Sequence, residues 1–549
     1  MDDEAEAGRK PPVISRRRLL AGGALAGTAA ALAACSSARP SSPSGNGAPA
    51  SFSSPGAPPA QTASAAAAAT APPPSLPPDR DTSMTVENRR RGSGGWDLMR
   101  RQAGVSAYLA AASVGPGEPL SLRAVGTGVV DVEWYRLGWY GGLGARLLKV
   151  DRKVRLAKQP RATFDRVTGL VEAHWKPVLR TTAPSGVKSG MLLAVLRSPK
   201  GHSVANVPIV LRPDPTDPRR APVLFVSAAA TWQAYNAWGG LDFYSNTSHH
   251  PVAATANHRA AQVSFDRPYF LDAGAGFLRR WELQFIRWME RNGRDVEYIT
   301  DLDLERNPDL ATGRRLLVMA GHPEYWTRPM RARVEAAIAS GTNVAFLTAN
   351  EVYWQARLED GPAGPGTRLT SYKSRTADPI MPKQPELTTC RWREPPVNDP
   401  EAPLVGQMYG AIVGRVADWI VTNHGHWLYE GTNVGDGDAI SNLIGQEFDT
   451  FFPDLAQPGT VKLAHSPVLA VHDPNHDPGA TPSPGIHTST MYTAQSGATV
   501  YAAGTFQWSW AIDAYGSRDY HGVHTPVDER VARMTRNLFD RLGDGPLAP

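Results

Sequence analysis

Between about Trp96 and Arg212, apolar and polar positions alternate in short runs broken by turns, the signature of half-buried strands. Pro119-Leu120-Ser121-Leu122-Arg123-Ala124-Val125 and Val130-Asp131-Val132-Glu133-Trp134-Tyr135 alternate in this way. Residues 191–196 and 207–211 are further strand candidates, with a Gly-rich turn at 140–144. Many short strands with turn signals predict an Ig-like β-sandwich over residues 96–213. After Pro213 the period changes. Val223-Leu224-Phe225-Val226 reads as a short buried strand, and further strands are predicted at 296–299, 316–320 and 344–347. Leu278, Trp281, Phe285, Ile286 and Met289 fall on one helical face, and Gly293 stops that helix. Thr327 caps a second helix that runs to about Ser340, closed by Gly341. Strand–helix–strand alternation with apolar strands predicts an α/β domain over 214–549, with a doubly wound parallel sheet covered on both faces. Ligands of such sheets bind beyond the carboxyl ends of the strands.

The N-terminal pattern differs. Residues 15–35 run from Ser15-Arg16-Arg17-Arg18-Leu19-Leu20 through a Gly/Ala/Leu stretch to Leu32-Ala33-Ala34-Cys35. Basic, apolar and small-residue regions in that order read as a secretory signal over 1–35, of twin-arginine type, ending in a lipobox. The prediction is export and a lipid on Cys35 that holds the chain on the outer face of the cytoplasmic membrane. A membrane span needs ~20 predominantly apolar residues, and this run is short and rich in Gly and Ala. Residues 36–95 are mostly Ser, Pro and Ala and are expected to form a disordered tether. The Arg89-Arg90-Arg91 run in it is read as solvated.

Composition narrows the function. With 549 residues the chain needs more than one core, and 42% hydrophobic with 20% charged residues suits a globular body. A formal charge of +5 without a basic stripe argues against nucleic-acid binding. Two cysteines, Cys35 and Cys390, exclude a disulfide framework and cysteine-based zinc sites. A metal would therefore sit among oxygen or imidazole ligands.

Aromatic and acidic clusters stand at the predicted strand ends. They include Tyr235-Asn236-Ala237-Trp238-Gly239-Gly240, Tyr244-Ser245-Asn246, Gly321-His322-Pro323-Glu324-Tyr325-Trp326 and Asn350-Glu351-Val352-Tyr353-Trp354-Gln355. Ser371-Tyr372-Lys373-Ser374, His424-Gly425-His426 and Gly445-Gln446-Glu447-Phe448-Asp449 follow. No Gly-x-Ser-x-Gly elbow, phosphate loop or His-Glu-x-x-His motif occurs, and Cys390 lies away from any elbow. His424 and His426 would share a face in a strand, so a zinc pair there competes with ordinary loop histidines.

Five blocks in order resemble the N,N-dimethylformamidase large (beta) subunit family. They are Trp134-Tyr135-Arg136-Leu137-Gly138-Trp139-Tyr140-Gly141-Gly142, the Tyr235 to Gly240 and Gly321 to Trp326 stretches, Tyr372-Lys373-Ser374, and Gly445 to Asp449. The resemblance covers roughly residues 97–545. It implies a β-sandwich followed by a class I glutamine amidotransferase-like domain without a catalytic cysteine. It also implies one mononuclear iron, ferric by its hard oxygen donors, held by two tyrosines and one glutamate. By motif the ligands would be Tyr325, Tyr372 and Glu447, with Tyr353 competing for the place of Tyr372. Glu324 and His322 flank Tyr325 as candidate acid–base groups or as orienting neighbours, and Tyr235, Asn236, Trp238 and Tyr353 as pocket residues. The implied reaction is hydrolysis of a small amide by metal-activated water. The implied assembly is with a small partner subunit or as a homo-oligomer. The competing expectation is a surface lipoprotein that binds cell-wall glycan or peptide without turnover.

Overall fold

The computed structural model describes residues 83–96, 104–217, 219–270, 276–471, 481–516 and 522–544. The signal, Cys35 and most of the expected tether lie outside the described residues. Among those described, no helix is long and apolar enough to cross a membrane.

The first domain is built from two antiparallel sheets and one short parallel pairing. Three strands, Ser106–Leu109, Pro119–Val125 and Pro177–Thr182, form the smaller sheet. The larger orders Ser113–Val114, Ser203–Leu211, Gly190–Arg197, Val129–Leu137 and Ala145–Arg155. Alternate residues of both sheets (Leu120, Leu122, Val132, Trp134, Leu192, Leu196, Ile209) make one core. The opposite faces of two larger-sheet strands, carrying Tyr135, Leu137, Met191, Leu193 and Val195, pack into the core of the second domain. The centre of the larger sheet is thus buried on both sides. Gly190–Arg197 is buried at every position but the last, which explains its unbroken apolar run.

The second domain centres on a nine-stranded sheet. In spatial order its strands are Val296–Thr300, Val223–Ser227, Leu316–Met319, Asn343–Phe346, Thr499–Ala502, Ser483–Thr493, Val461–Val471, Met408–Arg415 and Glu447–Thr450. The first five pair in parallel and the rest antiparallel. The sheet is therefore mixed where the sequence pattern predicted a parallel one. Its second half lacks the long helices that parallel crossovers need, so hairpins build it instead. A four-stranded sheet, Gln262–Ser264, Gly364–Thr370, Trp354–Gly361 and Tyr325–Thr327, flanks it.

The helix that the Leu278 to Met289 face predicts begins as a π-helical turn at Leu278–Glu282 and continues as Leu283–Arg291. It is buried on nearly all sides. Arg287 pairs with Asp513 at 3.1 Å, and Glu290 pairs with Arg136 of the first domain at 2.9 Å. Single-face amphipathicity was legible, but these charged positions turn inward because each meets an opposite charge.

The N-terminal tether is shorter than its composition predicts. The tether does not extend to residue 95, because Ser83–Asn88 is a helix docked between the two domains. Asn88 Oδ1 accepts from the backbone of Trp139 (3.0 Å) and Tyr140 (2.9 Å), and its Nδ2 donates to Glu290 at 2.9 Å. Glu87 accepts from Tyr140 at 2.8 Å and from Arg146 at 2.5 Å. These polar side chains meet complementary buried groups, which a Ser/Pro/Ala tether cannot supply.

Candidate active site

Strand order reverses between Val223–Ser227 and Leu316–Met319, since the chain passes to one side after the first and to the other after the second. Such a switch point opens a crevice at the carboxyl ends of the two strands. Both segments leaving it carry oxygen donors. After the first strand, the short helix Ala229–Ala234 ends at Tyr235. The chain folds back, with Phe243 N donating to Ala234 O at 3.1 Å. Asp242 then closes a turn, its Oδ1 accepting from Tyr244 N and Ser245 N, each at 2.6 Å. That turn delivers Tyr244.

After the second strand come Gly321, His322, Pro323 and Glu324. A Cβ on Gly321 would fall 2.6 Å from the buried Glu282 Oε1, so the close approach requires glycine. Glu324 N donates to His322 O at 2.9 Å, and the Glu324 carbonyl accepts from Tyr353 N (3.0 Å) and Trp354 N (2.9 Å). The main chain of Glu324 is therefore pinned on both sides.

Two phenols meet on the Glu324 carboxylate. Tyr235 donates to Oε2 at 2.9 Å and Tyr244 to Oε1 at 2.5 Å. Their rings stack with centroids 4.1 Å apart and 19° between planes. The Tyr325 hydroxyl contacts that of Tyr244. Lys373 places its ammonium 3.5 Å from the Tyr244 ring centroid and 5.4 Å from that of Trp354. His322 Nε2 lies 3.1 Å from Glu324 Oε2 and 4.0 Å from Glu447 Oε2. The imidazole is walled by Phe506 at 4.5 Å and Phe277 at 6.2 Å between centroids. All three phenols, Glu324, His322 and Glu447 are buried.

The charges are mutually adjusted. Burial would raise the Glu324 carboxyl, but the charge and hydrogen bond of His322, the Tyr244 hydroxyl and the Lys373 charge together hold it below the ordinary carboxylate value. Burial would lower His322, but Glu324, then Glu447 and Asp449, outweigh it and set the imidazole above its ordinary value. Asn350 Nδ2 donates to Glu447 Oε2 at 3.0 Å, and its backbone N donates to Asp449 at 2.9 Å. Burial and then the Asp449 charge push Glu351 well above the carboxylate range. Four non-glycine residues around the cluster, Asn350, Val352, Lys373 and Gln446, have φ between 52° and 67°. For β-branched Val352 this is a strained conformation, held by its N–H on Pro323 O at 2.8 Å.

Of the residues singled out in the sequence, Tyr325, Glu324, His322, Tyr235 and Glu447 come together. Tyr372 does not join them. It is half-buried, and the charges acting on its phenol are those of Asp378, Glu359, Arg357 and Asp165. Its neighbour Lys373, whose backbone is left-handed (φ 52°), is the residue that reaches the cluster. The Tyr353 phenol meets Arg391 at 3.4 Å, and its ring packs on Tyr409 at 5.0 Å. Asn236 serves its own loop, bonding Gln233 and Pro268 O at 3.0 Å each and accepting from Phe270 N at 2.8 Å. Trp238 packs edge-on against Trp175 of the first domain at 5.7 Å. His424 and His426 do not converge: His424 pairs with Asp436 at 3.2 Å, and His426 Nδ1 accepts from Leu428 N. Tyr244, Asn350 and Lys373 are the side chains that sequence reasoning left out of the site. For Tyr244 the signal was local, an Asp two positions earlier followed by Ser and Asn, which marks a tight side-chain-closed turn.

A family model described as N,N-dimethylformamidase beta subunit-like, C-terminal, matches residues 131–522. The chain is 22% identical over 458 residues to the N,N-dimethylformamidase beta subunit of an Alcaligenes species, covering 69% of this chain and 56% of that protein. To the N,N-dimethylformamidase beta subunit of Paracoccus aminophilus it is 22% identical over 453 residues, with the same two coverages, 69% and 56%. It thus spans little more than half the length of the curated relatives it matches.

Proposed function

The chain belongs to the N,N-dimethylformamidase beta subunit-like family, and from that premise we propose that it is an iron-dependent hydrolase of an amide C–N bond. One observation carries the reading: two buried phenols converge on one buried carboxylate at the topological switch point. The site residues are accordingly reassigned. Tyr235, Tyr244 and Glu324 would hold the iron, in place of the Tyr325, Tyr372 and Glu447 set read from motifs.

The donor chemistry fits. Phenolate and carboxylate are hard oxygen ligands matched to a hard ferric ion. A free tyrosine ionises near pH ~10, so a strong cation is what keeps two of them ionised at neutral pH.

Iron bound there would supply Lewis-acid polarisation of the substrate carbonyl. The protein's own groups handle the protons. Glu447, oriented by Asn350, takes a proton from the attacking water as its oxygen bonds to the carbonyl carbon. His322, which lies between Glu324 and Glu447, gives a proton to the amine nitrogen as the C–N bond breaks. Phe277 and Phe506 keep bulk water from the imidazole. The substrate proposed is a small linear amide or formamide. The relatives are named as beta subunits, which supports a partner subunit or an oligomer for this chain as well. The lipid on Cys35 and export remain part of the same proposal, carried by the sequence of residues 15–35.

The test is to load the purified chain with ferric iron, record the visible spectrum and follow amine release from a panel of small amides. Wild type and Tyr372→Phe should bind iron and be coloured by phenolate charge transfer. Tyr235→Phe, Tyr244→Phe and Glu324→Gln should lose both. Glu447→Gln should keep the colour and lose ~10²–10⁴ in rate. Colour kept in Tyr244→Phe but lost in Tyr372→Phe would sink the ligand set. A colourless, inactive wild type that binds glycan would favour a binding protein.

A further inference from the structure

We infer that Tyr325 is a positioning residue for Tyr244, a phenol that steers a ligand without being one; the inference rests on the iron reading above. Three observations carry it. First, a hydrogen bond links Tyr325 to Tyr244. Tyr235 and Tyr244 both reach the Glu324 carboxylate, whereas the Tyr325 hydroxyl meets the Tyr244 hydroxyl and donates to it. The hydrogen bonds run in sequence from Tyr325 to Tyr244 to Glu324.

Second, the two residues stand on supports of different stiffness. Tyr325 opens the strand Tyr325–Thr327, which pairs in parallel with Trp354, Gln355 and Ala356. Its ring is fully buried and lies against Phe243 at 5.4 Å between centroids. Tyr244 sits on a loop closed by the Asp242 turn and the Leu241–Asn246 bridge. A group on a sheet can hold a group on a loop at a fixed angle, and sheet-borne contacts define geometry better than loop contacts.

Third, the two phenols beside Tyr244 meet it at different angles. The Tyr325 ring stands edge-on to Tyr244 at 81°, while Tyr235 stacks on Tyr244 nearly parallel at 19°. Donation from Tyr325 withdraws electron density from the Tyr244 oxygen and lowers its donor orbital. In a ferric phenolate the charge-transfer band therefore lies at shorter wavelength with the hydrogen bond than without it.

The experiment compares iron-loaded wild type with Tyr325→Phe and Tyr244→Phe. Tyr325→Phe should retain iron and colour, with its band moved to longer wavelength. Its kcat/KM should fall ~10–100-fold, as for loss of an orienting neighbour of a metal ligand. Replacing Tyr325 by 3-fluorotyrosine keeps the shape and makes a stronger donor, so the band should move to shorter wavelength. This second variant serves where Tyr325→Phe does not fold. Loss of iron and colour in a folded Tyr325→Phe would overturn the inference by making Tyr325 a ligand, and an unmoved band in both variants would overturn it by removing the hydrogen bond's effect. If wild type takes up no iron, the iron reading fails on its own. A crystal structure of metal-free Tyr325→Phe then decides the positioning claim. Tyr244 displaced from Glu324 supports it, and Tyr244 still stacked on Tyr235 with its hydroxyl on Glu324 overturns it.

Discussion

Replacing Arg136 by Met should cost the folded chain about 3–5 kcal/mol, the range for breaking a buried ion pair from one side. Arg136 and Glu290 are both fully buried, with Nη2–Oε1 at 2.9 Å and Nη1–Oε2 at 3.0 Å. The same guanidinium donates to Ser189 O (2.8 Å), Lys188 O (3.1 Å) and the Tyr140 hydroxyl (2.9 Å). Methionine fills most of the volume but supplies none of these donors. Glu290 would keep Asn88 Nδ2 and the Tyr298 hydroxyl, each at 2.9 Å, with no cation left to balance it. Removing the stranded charge as well, in Arg136→Met with Glu290→Gln, should recover part of the loss, because much of the penalty belongs to the unpaired carboxylate. The assay is urea unfolding followed by tryptophan fluorescence and far-UV circular dichroism. Arg136 joins the first domain to the second, so the two probes should also cease to coincide in the single variant. A cost under about 1 kcal/mol, the range of an exposed pair, would refute the reasoning. So would a double variant that is no better than the single one.

Two further predictions concern stability. Asn88→Ala removes the acceptor of two backbone N–H groups and a donor to Glu290, and should destabilise by about 1–3 kcal/mol in a thermal melt; an unchanged melting temperature would mean that the helix at 83–88 contributes nothing. Burial raises the Glu282 carboxyl from 4.5 to about 7 against the opposing hydrogen bonds of Ser227, Ala228 and Trp232. Its folded form favours the proton, so its contribution is complete below the unfolded value and is lost as pH rises through the folded one. A shift of this size corresponds to about 3 kcal/mol. Glu282→Gln should therefore shrink the stability difference between about pH 5 and pH 8, measured by urea unfolding at both; an unaltered difference would remove Glu282 from the account.

Local patterning was enough to show the elements and the change of period between the two domains. Alternation in 119–125 and 130–135 depends only on neighbouring residues, and strands of that pattern stand there. The strand ends that carry chemistry were legible for the same reason, because His322 and Glu324 come within a few residues of an apolar run and Tyr235 comes soon after another. Tertiary structure decided which face each run buries. Met191-Leu192-Leu193-Ala194-Val195-Leu196 has no polar face because two cores, one on each side, claim alternate residues. The Trp134 to Gly142 block, which carried part of the family resemblance, proved to hold Arg136 and Tyr140 of the domain joint. Tertiary structure also chose between neighbours. Tyr372 and Lys373 are adjacent in sequence, yet only Lys373 lies over Tyr244. Tyr244 lies 80 positions from Glu324, and its hydroxyl meets that carboxylate through a turn and a strand crossing that no local pattern encodes. Local sequence fixes what each segment prefers, but which oxygen atoms share a point in space depends on contacts between segments far apart in the chain.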